Sequence, residues 1–143
     1  LYDIFSTLGY RTSRYFYITN NKWNNITNII IRWANIWVTN IKEWSNNIDN
    51  PDDFLSSSNN VMAFNACVMR LQVIGENVGK LLKKESDLLY SYTNIPWLAI
   101  YDMRNLISHE YSNIDEEIIF SVIKNDLLEL EKTIEKIIEK IKR

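Results

Sequence analysis

The chain has 143 residues, enough for one domain around a single core and too few for two. Three glycines, two prolines and 46% apolar residues leave too little turn chemistry for a many-stranded sandwich or barrel, so the expected fold class is all-α. A net charge of -2 excludes a globally basic nucleic-acid coat, so any RNA contact must rest on a local basic patch.

Residues 1–22 are rich in aromatics (Tyr2, Phe5, Tyr10, Tyr15, Phe16 and Tyr17) without a clean period, and read as an appendage or a short helix. Arg11 and Arg14 within it are weak candidates for RNA contact. The domain proper is expected over 23–143. From Trp23 to Ile48 apolar positions recur every three or four residues (Ile26, Ile29, Ile30, Trp33, Ile36, Trp37, Ile41, Trp44), which predicts an amphipathic helix of about six turns. Asn50-Pro51-Asp52 stops it, and Pro51 can start a short helical turn through Phe54 and Leu55. Ser56 to Asn60 offers N-caps for a second long helix with the stripe Phe64, Cys67, Val68, Leu71, Ile74, Val78, Leu81, Leu82. Gly75 and Gly79 inside it cost about 1 kcal/mol each against Ala, which points to close approach of a neighbouring backbone, in the bundle or in a dimer.

Lys83 to Asn94 reads as a polar connection, and Pro96 suits the first turn of a third helix carrying Trp97, Ile100, Met103 and Leu106. Glu110 to Ile114 reads as a turn, and Asn113 with Glu116 has capping-box spacing for a fourth helix that turns Ile118, Ile119, Val122 and Ile123 inward. Asn125 and Asp126 are placed to kink it, after which Leu127, Leu130, Ile134, Ile137, Ile138 and Ile141 continue the stripe. The single cysteine, Cys67, can form no internal disulfide and fits a reducing cytoplasm. The most apolar stretch, Ile29 to Val38, is broken by Arg32 and Asn35, and no basic-then-apolar leader opens the chain. The expectation is a soluble cytoplasmic protein with no membrane segment.

The only histidine lies in Arg104-Asn105-Leu106-Ile107-Ser108-His109-Glu110-Tyr111. An imidazole can take or give a proton near neutral pH, and a guanidinium can hold a phosphate through paired hydrogen bonds. Together they suit RNA cleavage by the 2'-hydroxyl, which needs a base, an acid for the leaving 5'-oxygen and a cation for the phosphoryl charge, and which requires no metal or cofactor. Five residues of ideal helix leave the two side chains about 140° apart. They converge only if the helix ends or unwinds near Ser108, or if a second subunit shares the site. By spacing alone, an Arg and a His at a helix end more often cap carbonyls or form a surface pair.

Several ordered segments resemble the HEPN superfamily, and within it the HepT-like branch. Leu71-Gln72-Val73-Ile74-Gly75-Glu76-Asn77 is similar to the family's L-x-x-I-G-E-A stretch, Ile95-Pro96-Trp97 to its I-P-W, and Met103-Arg104-Asn105 through His109-Glu110-Tyr111 to its M-R-N-x-x-x-H-x-Y. Ile114-Asp115 and Asn125-Asp126-Leu127 resemble the I-D and D-L-P that follow. The likeness covers residues 61–130, weakens over 23–60 and is absent from 1–22.

The resemblance implies a four- to five-helix bundle that pairs as a symmetric homodimer, with the R-x4-H motifs of both copies lining one cleft. It implies that Arg104 binds the scissile phosphate of an RNA substrate, that Asn105 orients Arg104, and that His109 transfers the proton. It further implies a toxin whose Tyr111 is modified with AMP by a companion nucleotidyltransferase antitoxin. Glu110 stands where many members have Gly, adding a negative charge beside the phosphate site, and Leu128 replaces the usual Pro. Two other readings stay open: a non-catalytic substrate-binding subunit of a minimal nucleotidyltransferase, and a plain helical dimerisation protein.

Glu76 is either a support for Arg104 across the bundle or a surface carboxylate. Asp115, Glu116 and Glu117 are better read as a helix N-terminal cap than as a metal site. Trp33, Trp37, Trp44 and Trp97 have core spacing rather than that of base-stacking platforms. Arg70, Lys80, Lys83 and Lys84 are the candidate basic patch, or simply a solvated helix face.

Overall fold

The computed structural model describes residues 22–142, with side chains from residue 26. The appendage expected over 1–22 therefore lies, apart from Lys22, outside the described residues. All regular structure described is helical. Helix α1 spans Lys22–Trp44 and α2 spans Ser58–Lys84, with a 3-10 turn, Pro51–Leu55, between them. The short α3, Ser86–Tyr90, precedes α4, Trp97–Glu110. After a 3-10 turn at Tyr111–Asn113 come α5, Glu116–Ser121, a π-turn at Val122–Asp126, and α6, Leu127–Lys142. Helix α2 lies at the centre, packed on one side by α1 and on the other by α4, while α6 covers α1. None of the described helices is long and apolar enough to cross a membrane.

The α2 stripe forms as expected: Cys67, Val68, Leu71, Ile74, Val78 and Leu81 are buried, and Ser57 Oγ caps the helix by accepting from the Asn60 N–H at 3.1 Å. The α1 stripe is rotated from the expected one. Its buried line is Thr27, Ile31, Val38, Ile41 and Ser45, while Ile36 is exposed. Ser45 is tolerated because its hydroxyl donates to the Ile41 carbonyl at 2.7 Å. The large Trp33 and Trp37 stack on each other at the flank, their centroids 6.1 Å apart. The regular helix ends at Trp44, and hydrogen-bonded turns carry the chain on to the buried Ile48.

The Pro51 turn forms where it was expected, and the segment 83–94 is more structured than expected. The Pro51 turn is held by the Asp53 carboxylate, which accepts from the backbone N–H groups of Asp49 and Asn50 at 2.8 and 3.0 Å and is thereby kept below the usual carboxylate range. The segment 83–94, read as a polar connection, contains α3, whose Leu89 is buried. Asn94 donates to Glu129 and Thr133, tying this segment to α6. At the fourth helix the cap is Asp115, not Asn113: its carboxylate accepts from the Glu117 N–H at 2.8 Å. Ile118, expected inside, is exposed, and the inward line is Ile119, Ile123, Leu127, Leu130, Ile134 and Ile137. The π-turn falls where Asn125 and Asp126 suggested a kink, and adds one residue so that this line stays continuous across the junction.

Candidate active site

The interior line of α4 runs Trp97, Ile100, Arg104, Ile107, so an arginine occupies a position whose register belongs to the core. Ile107 is buried and Leu106, expected inside, is exposed. Arg104 can sit there because α2 presents Gly75 to it. A Cβ added at Gly75 would lie 2.6 Å from the Arg104 Cβ and 2.9 Å from the Ile100 carbonyl oxygen. Gly79 makes similar room a turn further along α2, where an added Cβ would meet the Tyr101 ring at 2.5 Å. The expected close approach is thus a contact inside the bundle. Gly75→Ala should lower unfolding stability by about 1–3 kcal/mol, since backbone must move to admit the methyl. Urea titration measures this, and an unchanged midpoint would contradict the packing described.

The head of Arg104 emerges at the edge of the seam between α2 and α4. Its Nη1 donates to Asn105 Oδ1 at 2.9 Å, and Nη2 lies 3.6 Å from Glu76 Oε1. The Nε is buried with no hydrogen-bond partner among the described residues. Arg104 and Glu76 keep 36% and 38% of their side-chain surface in water, so this ion pair is screened and contributes under about 1 kcal/mol. A pair that weak orients the guanidinium without locking it away from an incoming anion.

Of the residues singled out from the sequence, the structure thus brings together Arg104, Asn105 and Glu76. His109, Glu110 and Tyr111 are exposed at the end of the same helix. Because α4 is continuous through Glu110, the helix does not unwind near Ser108, and His109 stays turned about 140° from Arg104 within one chain. Glu110 leaves helical geometry (φ -118°, ψ 22°) and Tyr111 opens the 3-10 turn, so the α-helical register that runs from Arg104 ends before Tyr111.

Two seam residues escape the sequence reading. Gln72 Nε2 donates to Ser108 Oγ at 3.2 Å, one turn from the Arg104 contact. The sequence does carry a signal for them: Gln72 precedes Glu76 by four residues and Ser108 follows Arg104 by four, so each pair shares a helix face.

Other candidates fall elsewhere. The Arg70 guanidinium lies 5.6 Å over the Trp44 ring, on the α1 side of α2, whereas Lys80 and Lys83 are exposed on the side that carries Glu76. Trp97 is buried and its Nε1 donates to the Tyr92 carbonyl at 3.1 Å, and Trp33, Trp37 and Trp44 are half-buried, so none forms an open stacking platform. Burial pushes the Cys67 thiol up to about 12, which leaves it protonated and unsuited to nucleophilic work.

Comparison with known proteins agrees with the motif. Residues 37–137 match the family model described as Ribonuclease HepT-like. A candidate RNase of Caldanaerobacter subterraneus is 35% identical over 77 residues, covering 54% of this chain and 66% of that one. Two candidate RNases of Methanocaldococcus jannaschii are 28% identical over 83 residues (58% and 73% of the two chains) and 32% identical over 87 residues (61% and 72%). The chain therefore spans about two thirds to three quarters of the length of these relatives. No solved structure matches it. With 101 consecutive positions on one family model, the chain belongs to the HepT-like ribonuclease family.

Proposed function

We propose that the protein is the ribonuclease toxin of a toxin–antitoxin pair, cutting RNA in a cleft formed by two copies of the chain. The observation that carries this reading is the placement of Arg104: its stem is packed against Gly75 and its fork is presented at the surface with Asn105 and Glu76 on either side. A guanidinium so oriented is suited to hold the scissile phosphate and to stabilise the charge that builds on it. His109 then serves the proton transfers. The 2'-hydroxyl loses its proton as it bonds to phosphorus, the bond from phosphorus to the 5'-oxygen breaks, and that oxygen gains a proton.

A second copy supplies what one chain lacks. Arg104 and His109 diverge within a protomer, and His109 shares the outward face of α4 with two exposed leucines, Leu98 (57% exposed) and Leu106 (46%). Covering that face with its own copy would bury the leucines and bring two arginine–histidine sets to one cleft. Tyr111, 47% exposed, is in turn the acceptor for AMP from a companion nucleotidyltransferase antitoxin.

The purified protein should cut single-stranded RNA in excess EDTA, leaving 2',3'-cyclic phosphate and 5'-hydroxyl ends, and should scatter light as a dimer at micromolar concentration. Loss of cleavage on chelation would overturn the proton-transfer chemistry. A strictly monomeric active protein would overturn the shared cleft.

A further inference from the structure

We infer that the RNA strand leaves Arg104 along the α2–α4 seam toward Lys80 and Lys83, which form a basic track for the phosphates beside the cut. The inference rests on the ribonuclease reading and adds to it a direction and two binding residues.

The two helices pair in antiparallel register: Gln72 meets Ser108, Glu76 meets Arg104, and Gly79 meets Tyr101. Continuing that register sets Lys80 beside Ile100 and Tyr101, and Lys83 beside Trp97. Lys80 and Lys83 stand four and seven residues beyond Glu76, about 6 and 10 Å along the helix. Both lie within about 40° of the Glu76 direction, so they flank the same seam. At that reach they would meet the phosphates that follow the one on Arg104.

Two features single out this track. Lys80 and Lys83 are exposed, and neither forms an ion pair among the described residues. On α6 the lysines alternate with Glu135 and Glu139 around a shallow depression, which leaves no comparable excess of positive charge. A chain with a net charge of -2 needs just such a local concentration of cations to hold RNA.

The test compares wild type, the Lys80→Gln/Lys83→Gln double variant, and Lys136→Gln/Lys140→Gln on α6 as a charge-matched control. Binding of a fluorescent 15-nucleotide single-stranded RNA is followed across a salt series, and cleavage is assayed on that RNA and on a dinucleotide. The seam variant should bind about tenfold more weakly, with a slope of log affinity against log salt shallower by about 1.4. Its KM on the long RNA should rise with kcat unchanged, while the dinucleotide, too short to reach Lys80, should be cut as by wild type. Equal affinity and salt slope for seam variant and wild type would overturn the track, as would an equal loss in the α6 control. If no protein cuts RNA but the seam variant alone binds weakly, the ribonuclease reading fails and the track stands.

Discussion

His109→Ala should lower the rate of RNA cleavage by about 10²- to 10⁴-fold, the usual contribution of a positioned proton-transfer group. The fold should be unaffected, because His109 is exposed at the end of α4. Arg104→Ala should cost a similar 10²- to 10³-fold by removing the cation that meets the phosphoryl charge. Arg104→Lys is the sharper variant. It keeps the charge and most of the buried stem, but loses the paired donors that reach Asn105 and a phosphate together, so most of the loss should persist. Circular dichroism checks that helical content survives in each variant. Cleavage at the wild-type rate by His109→Ala, or full activity in Arg104→Lys, would remove that residue from the role given to it.

What is legible in the sequence follows from where bulky aliphatic residues define a face. In α2 they do, and both its stripe and its cap can be read from the residues alone. In α1 the inner positions belong to Thr27 and Ser45 as well as Ile31 and Val38, while the tryptophans that dominate the periodicity sit at the flank, so the apolar pattern points to a rotated face. In α4 a charged residue stands in the core line, and counting only apolar positions selects Leu106 where the structure buries Ile107. The same residue explains the glycines. Gly75 looks like a defect in a helix until Arg104 is placed against it across the bundle, a contact between positions too far apart in the chain for any local pattern to show. The motif residues themselves are legible. Of the partners, Glu76 beside Arg104 is one of two readings the sequence leaves open, whereas the Gln72–Ser108 pair depends on the register between two helices and becomes visible only with the structure.

Tyr111→Phe should abolish neutralisation by the antitoxin while leaving the nuclease active. Within the proposed pair, the phenol oxygen of Tyr111 attacks the α-phosphorus of ATP, a phosphodiester to AMP forms, pyrophosphate leaves, and the phenolic proton passes to solvent. Three observations make this oxygen suitable and its modification effective. Tyr111 is about half-exposed, so a second enzyme can reach it. It follows Arg104 by seven residues, just past the end of the same helix, so both side chains belong to the C-terminal half of α4 and the turn that leaves it. Among the described residues the Arg104 guanidinium is held by Asn105 and by a screened contact to Glu76, so a phosphodiester can compete for it. An AMP group there would occupy by charge the donors meant for the RNA phosphate, and by volume the end of the seam beside His109. Incubation with the nucleotidyltransferase and ATP should add one or more increments of about 329 Da to the wild type, each a covalent AMP. The wild type should lose RNA cleavage in step with that mass, whereas Tyr111→Phe should gain no mass and keep cutting in the presence of the antitoxin. AMP found on the phenylalanine variant, or its full neutralisation without any added mass, would return Tyr111 to the role of a surface aromatic at the end of α4.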